Sequence, residues 1–106
     1  MLDTSPLTTA VERFADRLRA APQSRLQRGA AAEGLAVARQ LAARALELEG
    51  LEPRELPDAG IFVVGDQLSV AGRDLAEALR TAETAPSVVL DEAVRLVGEA
   101  EARALG

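Results

Sequence analysis

The sequence predicts an all-α protein: an antiparallel up-down four-helix bundle with a long central hairpin. Three observations indicate this fold. Apolar residues recur with a helical period in four segments, proline and glycine separate these segments, and the one strand-like stretch has no second strand to pair with. The 106 residues suffice for one small helical domain, which we take as residues 1–106. The helices are expected at about 6–21, 24–49, 58–83 and 86–105.

The first helix carries one narrow apolar stripe. Ser5 is expected to cap it, with Pro6 at the first helical position, where the missing N–H costs nothing. Apolar residues then recur at spacings of four, three and four residues, which predicts a single buried face. This face consists of Leu7, Val11, Phe14 and Leu18.

The second helix is predicted as one continuous rod over residues 24–49, ended by Gly50 in a left-handed conformation. Its two apolar stripes lie about 100° apart and cover more than half of the circumference, so the helix should be central. A break at Gly29 is the alternative, because glycine inside a helix costs about 1 kcal/mol relative to alanine. The outer helices are shorter, so some apolar surface of the long hairpin, including Leu35 and Leu46, is expected to remain for another chain.

The third helix, over residues 58–83, has the least regular pattern. Asp58 is a suitable N-cap, and an apolar face follows it. A short strand at 61–64 is one alternative, because β-branched residues favour strands, and a late helix start near Asp66 is another. If the helix is continuous, three apolar residues point away from its main stripe: Phe62, Val63 and Val70.

Gly65, Gly72 and Leu79 recur every seven residues along the third helix. This spacing predicts close packing against an antiparallel helix of the same bundle, and it suits a two-fold dimer seam equally well. The fourth helix, over 86–105, has an apolar face that begins at Val89. Short connections favour antiparallel neighbours, and they predict the up-down order.

The residue types that are missing exclude several kinds of chemistry. The chain contains no Cys, His or Lys, so it offers no thiolate, imidazole base, zinc ribbon or Schiff-base lysine. The remaining acids are not grouped for catalysis, and the acidic run from Glu47 to Asp58 lacks the spacing of a calcium loop. We therefore expect no enzyme, no metal and no cofactor. The Arg-rich, Ala-rich and Lys-free composition is typical of a GC-rich bacterial genome.

Nothing in the sequence indicates a membrane protein. The longest apolar run, 59–65, is far shorter than the roughly 20 residues that span a bilayer. The first residues carry an acid and no basic segment, unlike a signal peptide. We expect a cytoplasmic protein.

Charge is divided unevenly between the two halves. Residues 13–44 carry seven Arg against two acids, whereas 45–106 carry five Arg against 13 acids. A candidate anion patch on the first two helices comprises Arg13, Arg17, Arg25 and Arg28. The net charge of −5 and the lack of Tyr and Trp argue against nucleic acid, and pairing of these arginines with acids of the second half is the favoured interpretation.

The strongest functional signal is the set of apolar residues that the predicted core does not use, because a contiguous exposed apolar patch marks an interface. The sequence predicts a small non-catalytic protein that acts through protein–protein interaction, first with itself as a homodimer. The candidate interface comprises Leu35, Leu46, Phe62, Val63 and Val70. The alternative is a regulator that binds nucleic acid or a phosphate ligand through the arginine patch.

Overall fold

The structure, a computed structural model, describes residues 2–83 and 87–106. Its long helices form a four-helix bundle, and the described ranges contain no strand, so the all-α prediction is confirmed. The predicted start of the last helix at Pro86 lies outside the described residues. The helices are α1 (Ser5–Ala20), a short α2 (Gln23–Arg25), α3 (Ala31–Leu48), α4 (Val64–Thr81) and α5 (Ser87–Leu105).

The start of α1 differs in detail from the prediction. The helix begins at Ser5, after Thr4, and the side chain of Thr4 makes no capping bond. Instead, the carboxylate of Asp3 accepts hydrogen bonds from the hydroxyl and the backbone N–H of Ser5. These two bonds lower the pKa of Asp3, because they stabilise its charged form.

The predicted continuous rod over 24–49 is wrong, because the chain breaks at Gly29. A kink within Leu26–Ala30 joins α2 to α3, and Gly29 inside it has the non-helical angles φ 145° and ψ −16°. Pro22 precedes this segment and its carbonyl accepts the first bonds, from the N–H of Arg25 and Leu26. The end of α3 follows the prediction: Gly50 has φ 70°, and its N–H donates to the carbonyl of Glu47.

The third predicted helix starts late. Asp58 does not cap α4; its carboxylate accepts the N–H of Gly60, which has φ 104°, in a local turn. A residue with this φ cannot continue a right-handed helix, so no helix runs through 58–60, and α4 begins at Val64. The late start near Asp66 was therefore the better alternative, and neither the helix over 58–63 nor the strand at 61–64 forms.

Contacts between the helices define their directions. Arg80, at the end of α4, donates to the hydroxyl of Thr4 at the start of α1, so these two helices are antiparallel. Arg17 near the end of α1 contacts Leu105 at the end of α5, so α1 and α5 are parallel. Because α4 and α5 each pack against both α1 and α3, the four helices occupy the corners of one bundle.

The predicted up-down order with a long central hairpin is wrong, because α3 and α4 run in the same direction. Gly34 in the first turn of α3 faces Val64, the first residue of α4. Residues 49–63 return along the bundle to allow this, and two side chains hold them there. Arg39 donates Nε to the carbonyl of Leu56 over 2.9 Å, and Gln67 donates Nε2 to the carbonyl of Pro57 over 2.9 Å.

Glycines place α1 very close to α4. A Cβ atom added at Gly72 would lie 2.6 Å from Cγ1 of Val11, and one added at Gly65 would lie 3.0 Å from the carbonyl oxygen of Ala15. The seven-residue spacing therefore serves packing inside one chain, as one of the two interpretations predicted. The other interpretation, a dimer seam, does not apply to these two glycines, because α1 already covers them.

The core is formed by the predicted faces. The whole α1 stripe, including Phe14, is buried, and so is the α4 face from Val64 to Leu79. The two stripes of α3 face its neighbours, so most of the wide apolar arc is covered within one chain. That arc therefore no longer supports self-association.

Replacement of Gly29 by alanine tests the backbone cause of the break. Space around Gly29 is open, so we expect Gly29→Ala to destabilise the protein by about 1–2 kcal/mol solely through its positive φ. Gly98→Ala is the matched control, because Gly98 lies inside α5 with open space and should gain about 0.5–1 kcal/mol. Urea unfolding measures both, and equal effects of the two variants would contradict the prediction.

Replacement of Gly72 by alanine tests the close approach of α1 and α4. The added methyl group overlaps Val11, so Gly72→Ala should cost about 1–3 kcal/mol. In a Val11→Ala background the same change should cost much less, because the overlapping methyl groups are gone. A double-mutant cycle from urea unfolding gives this coupling, and additive effects would disprove direct contact.

Candidate functional site

Three apolar side chains near the start of α4 are exposed to solvent. The side chain of Phe62 is 69% exposed, that of Val63 is 36% exposed and that of Val70 is 53% exposed. Phe62 and Val63 directly precede the first turn of α4, and Val70 lies seven residues after Val63 on the same side of the helix. We call Phe62, Val63 and Val70 the apolar patch.

A groove lies beside the apolar patch, between α3, α4 and residues 49–63. It consists of two cavities, of about 430 and 250 Å³, that share Ala42, Leu56 and Asp74. Leu46 and Leu51 line the larger cavity and Val70 lines the smaller. We call these two joined cavities the α3–α4 groove. Its apolar floor and the apolar patch meet at Val70.

Acidic side chains surround the α3–α4 groove. Its lining includes one arginine, Arg54, and four carboxylates: Glu49, Glu55, Asp66 and Asp74. These acids lie at an open surface; the side chain of Glu55, for example, is 85% exposed.

Two of the five candidate interface residues are placed differently from the other three. Leu35 is only 8% exposed and belongs to the core, so its inclusion in an exposed surface was wrong. The break at Gly29 and the return of residues 49–63 bring Leu26, Ile61 and Val64 around it. Leu46 is half-buried and lines the α3–α4 groove.

The candidate anion patch is not one free surface. Arg13 and Arg17 both bind Glu101 of α5, with Nε to Oε1 at 3.1 Å and Nη1 to Oε2 at 2.9 Å. The carboxylate of Glu101 is almost fully buried, whereas both arginines remain partly exposed. These two arginines therefore fix α5 against α1.

Arg17 and Arg25 together cap the C-terminal end of α5. Each donates a terminal guanidinium nitrogen to the carbonyl oxygen of Leu105 over 3.1 Å. The last carbonyls of a helix have no partner within the helix and carry partial negative charge, so two guanidinium groups satisfy and stabilise them. Arg28 is not part of this group; its Nε approaches the carbonyl of Ser24.

Other arginines of the basic half also pair with acids of the second half. Arg44 binds Glu92, and Arg19 binds Asp66 and donates to Ser69. The hydrogen bond to Asp66 raises the pKa of Arg19, with a smaller contribution from Asp16. The favoured interpretation of the charge division, pairing between the two halves, thus accounts for these residues.

The acidic run begins at Glu47 in the last turn of α3 and continues along the returning segment to Asp58. Within residues 2–83 and 87–106, no three acidic side chains are grouped so that they could hold a metal ion. No helix in these ranges combines the length and the apolar content that crossing a bilayer requires.

Sequence reasoning missed Glu101, although the sequence contained a signal for it. Glu101 lies four residues after Val97 and one after Ala100, on the buried face of α5. An acid on an apolar stripe indicates a buried ion pair, because an isolated buried carboxylate is costly. The exposed Leu51 was also missed, since no periodicity applies in the returning segment.

Comparison with known proteins gives no further identification. No protein-family model matches the chain, and neither a curated protein nor a solved structure matches it. The candidate site therefore rests on the geometry described above.

Replacement of Glu101 by glutamine tests the contact between α1 and α5. Glu101→Gln removes the charge that Arg13 and Arg17 share, and we expect a loss of about 1–2 kcal/mol of unfolding free energy. Glu99→Gln on the same helix breaks an exposed pair with Arg95 and should change stability by less than about 0.5 kcal/mol. Urea unfolding compares the two, and equal losses would show that Glu101 has no special role.

Proposed function

We propose that this chain is a non-catalytic helical protein that acts through protein–protein interaction, and that its first partner is a second copy of itself. The observation that carries the proposal is the continuity between the apolar patch and the apolar floor of the α3–α4 groove at Val70. Scattered exposed apolar residues need no explanation, but a protruding aromatic side chain beside an apolar groove is typical of an interface.

We choose a second copy as the partner because one surface contains both the exposed Phe62 and the α3–α4 groove. A two-fold interface requires that one surface contain both members of each contact, because residue i of one copy meets residue j of the other and the reverse. Phe62 supplies an exposed aromatic side chain, and the α3–α4 groove, which Val70 of the apolar patch lines, supplies a recess. A buried aromatic side chain removes roughly 150–250 Å² of surface from water, which gives such a contact its main driving force.

The carboxylates that surround the α3–α4 groove predict how self-association depends on salt. Two copies that meet through this face bring their carboxylates together, and screening weakens that repulsion as ionic strength rises. Self-association should therefore strengthen between roughly 50 and 500 mM NaCl. A basic partner on the same groove would show the opposite dependence, since screening weakens attraction.

Replacement of Phe62 by aspartate tests the proposed interface. Wild-type protein at high micromolar concentration should show a mass near twice 11.1 kDa by size-exclusion chromatography with light scattering. Phe62→Asp should weaken dimerisation at least about tenfold, because a charge replaces a buried ring, and should leave the helical circular dichroism unchanged.

Val88→Asp is the matched control for this experiment. Val88 is 74% exposed but lies in the first turn of α5, at the opposite end of the bundle from Phe62, so its replacement should not affect the mass. A wild-type monomer at high micromolar concentration would overturn the proposal. Unfolding of the Phe62→Asp protein would do the same, since it would show that Phe62 supports the fold.

A further inference from the structure

A polar cavity lies between the Gly29 break and the last turns of α5. Its volume is about 620 Å³, and it shares no lining residue with the α3–α4 groove. Three arginines and one carboxylate belong to its lining, which comprises Arg25, Arg28, Gly29, Ala30, Glu33, Arg103 and Ala104. We call it the kink cavity.

Each arginine of the kink cavity is held by an intramolecular contact that uses only part of its guanidinium group. Arg28 uses Nε toward the carbonyl of Ser24, and Arg103 uses Nε toward Glu33 over 2.9 Å. Arg25 uses one terminal nitrogen on Leu105. Because a guanidinium group has five N–H donors, the contacts found among residues 2–83 and 87–106 leave donors of these side chains for a ligand.

The charge of the kink cavity contrasts with that of the whole chain. Its three guanidinium groups meet one carboxylate, Glu33, whereas the chain as a whole carries a net charge of −5. Elsewhere, Arg13 and Arg17 share the buried Glu101, and Arg44 binds Glu92. Three guanidinium groups against one carboxylate leave the kink cavity with a surplus of positive charge, which Glu33 and the last carbonyls of α5 offset only in part, and this surplus favours an anion.

The size and donor type of the cavity indicate the class of anion. Volumes of about 300–1,000 Å³ are usual for small-molecule sites, and the planar guanidinium fork matches the oxygens of a phosphate group. Single-stranded nucleic acid is typically held by base stacking on aromatic side chains, but Phe14 is buried in the core and Phe62 belongs to the apolar patch. We propose that the kink cavity binds the phosphate group of a small phosphorylated molecule through Arg25, Arg28 and Arg103.

Titration with sodium pyrophosphate, followed by amide chemical shifts at constant ionic strength, tests this site. We expect saturable shifts confined to residues 24–34 and 102–106, which surround the cavity. Arg28→Gln and Arg103→Gln should each weaken binding about tenfold, because each removes a charge-assisted donor. Circular dichroism is the control that tests whether both variants are folded.

Two control variants make the result specific. Arg95→Gln removes an exposed arginine of the same helix, and it should leave the affinity for pyrophosphate unchanged. Phe62→Asp should also bind pyrophosphate normally, so failure of the self-association proposal and failure of this one are distinguishable. Two results would overturn the proposal. One is amide chemical shifts that change in proportion to pyrophosphate concentration, without saturation, at every exposed arginine. The other is an unchanged affinity for pyrophosphate in both Arg28→Gln and Arg103→Gln.

Further titrations separate the sources of the phosphate group. Inorganic phosphate and glycerol phosphate present the same dianion, and tighter binding of glycerol phosphate would show that the cavity also contacts the organic part. Equal affinities would limit recognition to the phosphate group, which still supports the site. A short DNA duplex that binds more tightly than pyrophosphate would instead replace the proposal with a nucleic-acid interface.

Discussion

The close approach of α1 to the other helices is the constraint on which the rest of this structure depends. Gly72 and Gly65 on α4 leave no room for a Cβ against α1, and Gly34 on α3 lies against Leu18 of α1. A side chain at Gly72 would overlap Val11 of α1, and one at Gly65 or Gly34 would require its neighbours to shift. Because Val64 also reaches Gly34, this contact joins α1, α3 and α4 at one end of the bundle.

This junction explains the unusual order of the helices. Since the start of α4 must lie beside the start of α3, the chain has to travel back along the bundle after α3 ends. Residues 49–63 make that return in an irregular conformation, and Arg39 and Gln67 fix it by binding its carbonyls. The returning segment also creates the α3–α4 groove, so the fold and the proposed interface have one origin.

Arginine serves two different purposes in this chain. Where it pairs with a buried acid or a helix end, as Arg17 does with Glu101 and Leu105, it holds helices together in a bundle of limited core size. In the kink cavity, by contrast, Arg28 and Arg103 each meet only one acceptor among the described residues. Composition alone cannot separate the two roles, because both use the same residue type.

The sequence by itself determined the helical class and the buried faces, since these follow from local periodicity. Phe62 is exposed as expected, but it lies before α4 and not on the helix from which its exposure was predicted. The sequence could not determine the break at Gly29 or the late start of α4, because a single glycine is tolerated in many helices and only the surrounding packing selects its φ. The parallel arrangement of α3 and α4 was likewise decided by tertiary structure. It depends on which surfaces fit closely, and residue spacing within one helix carries no information about its partner.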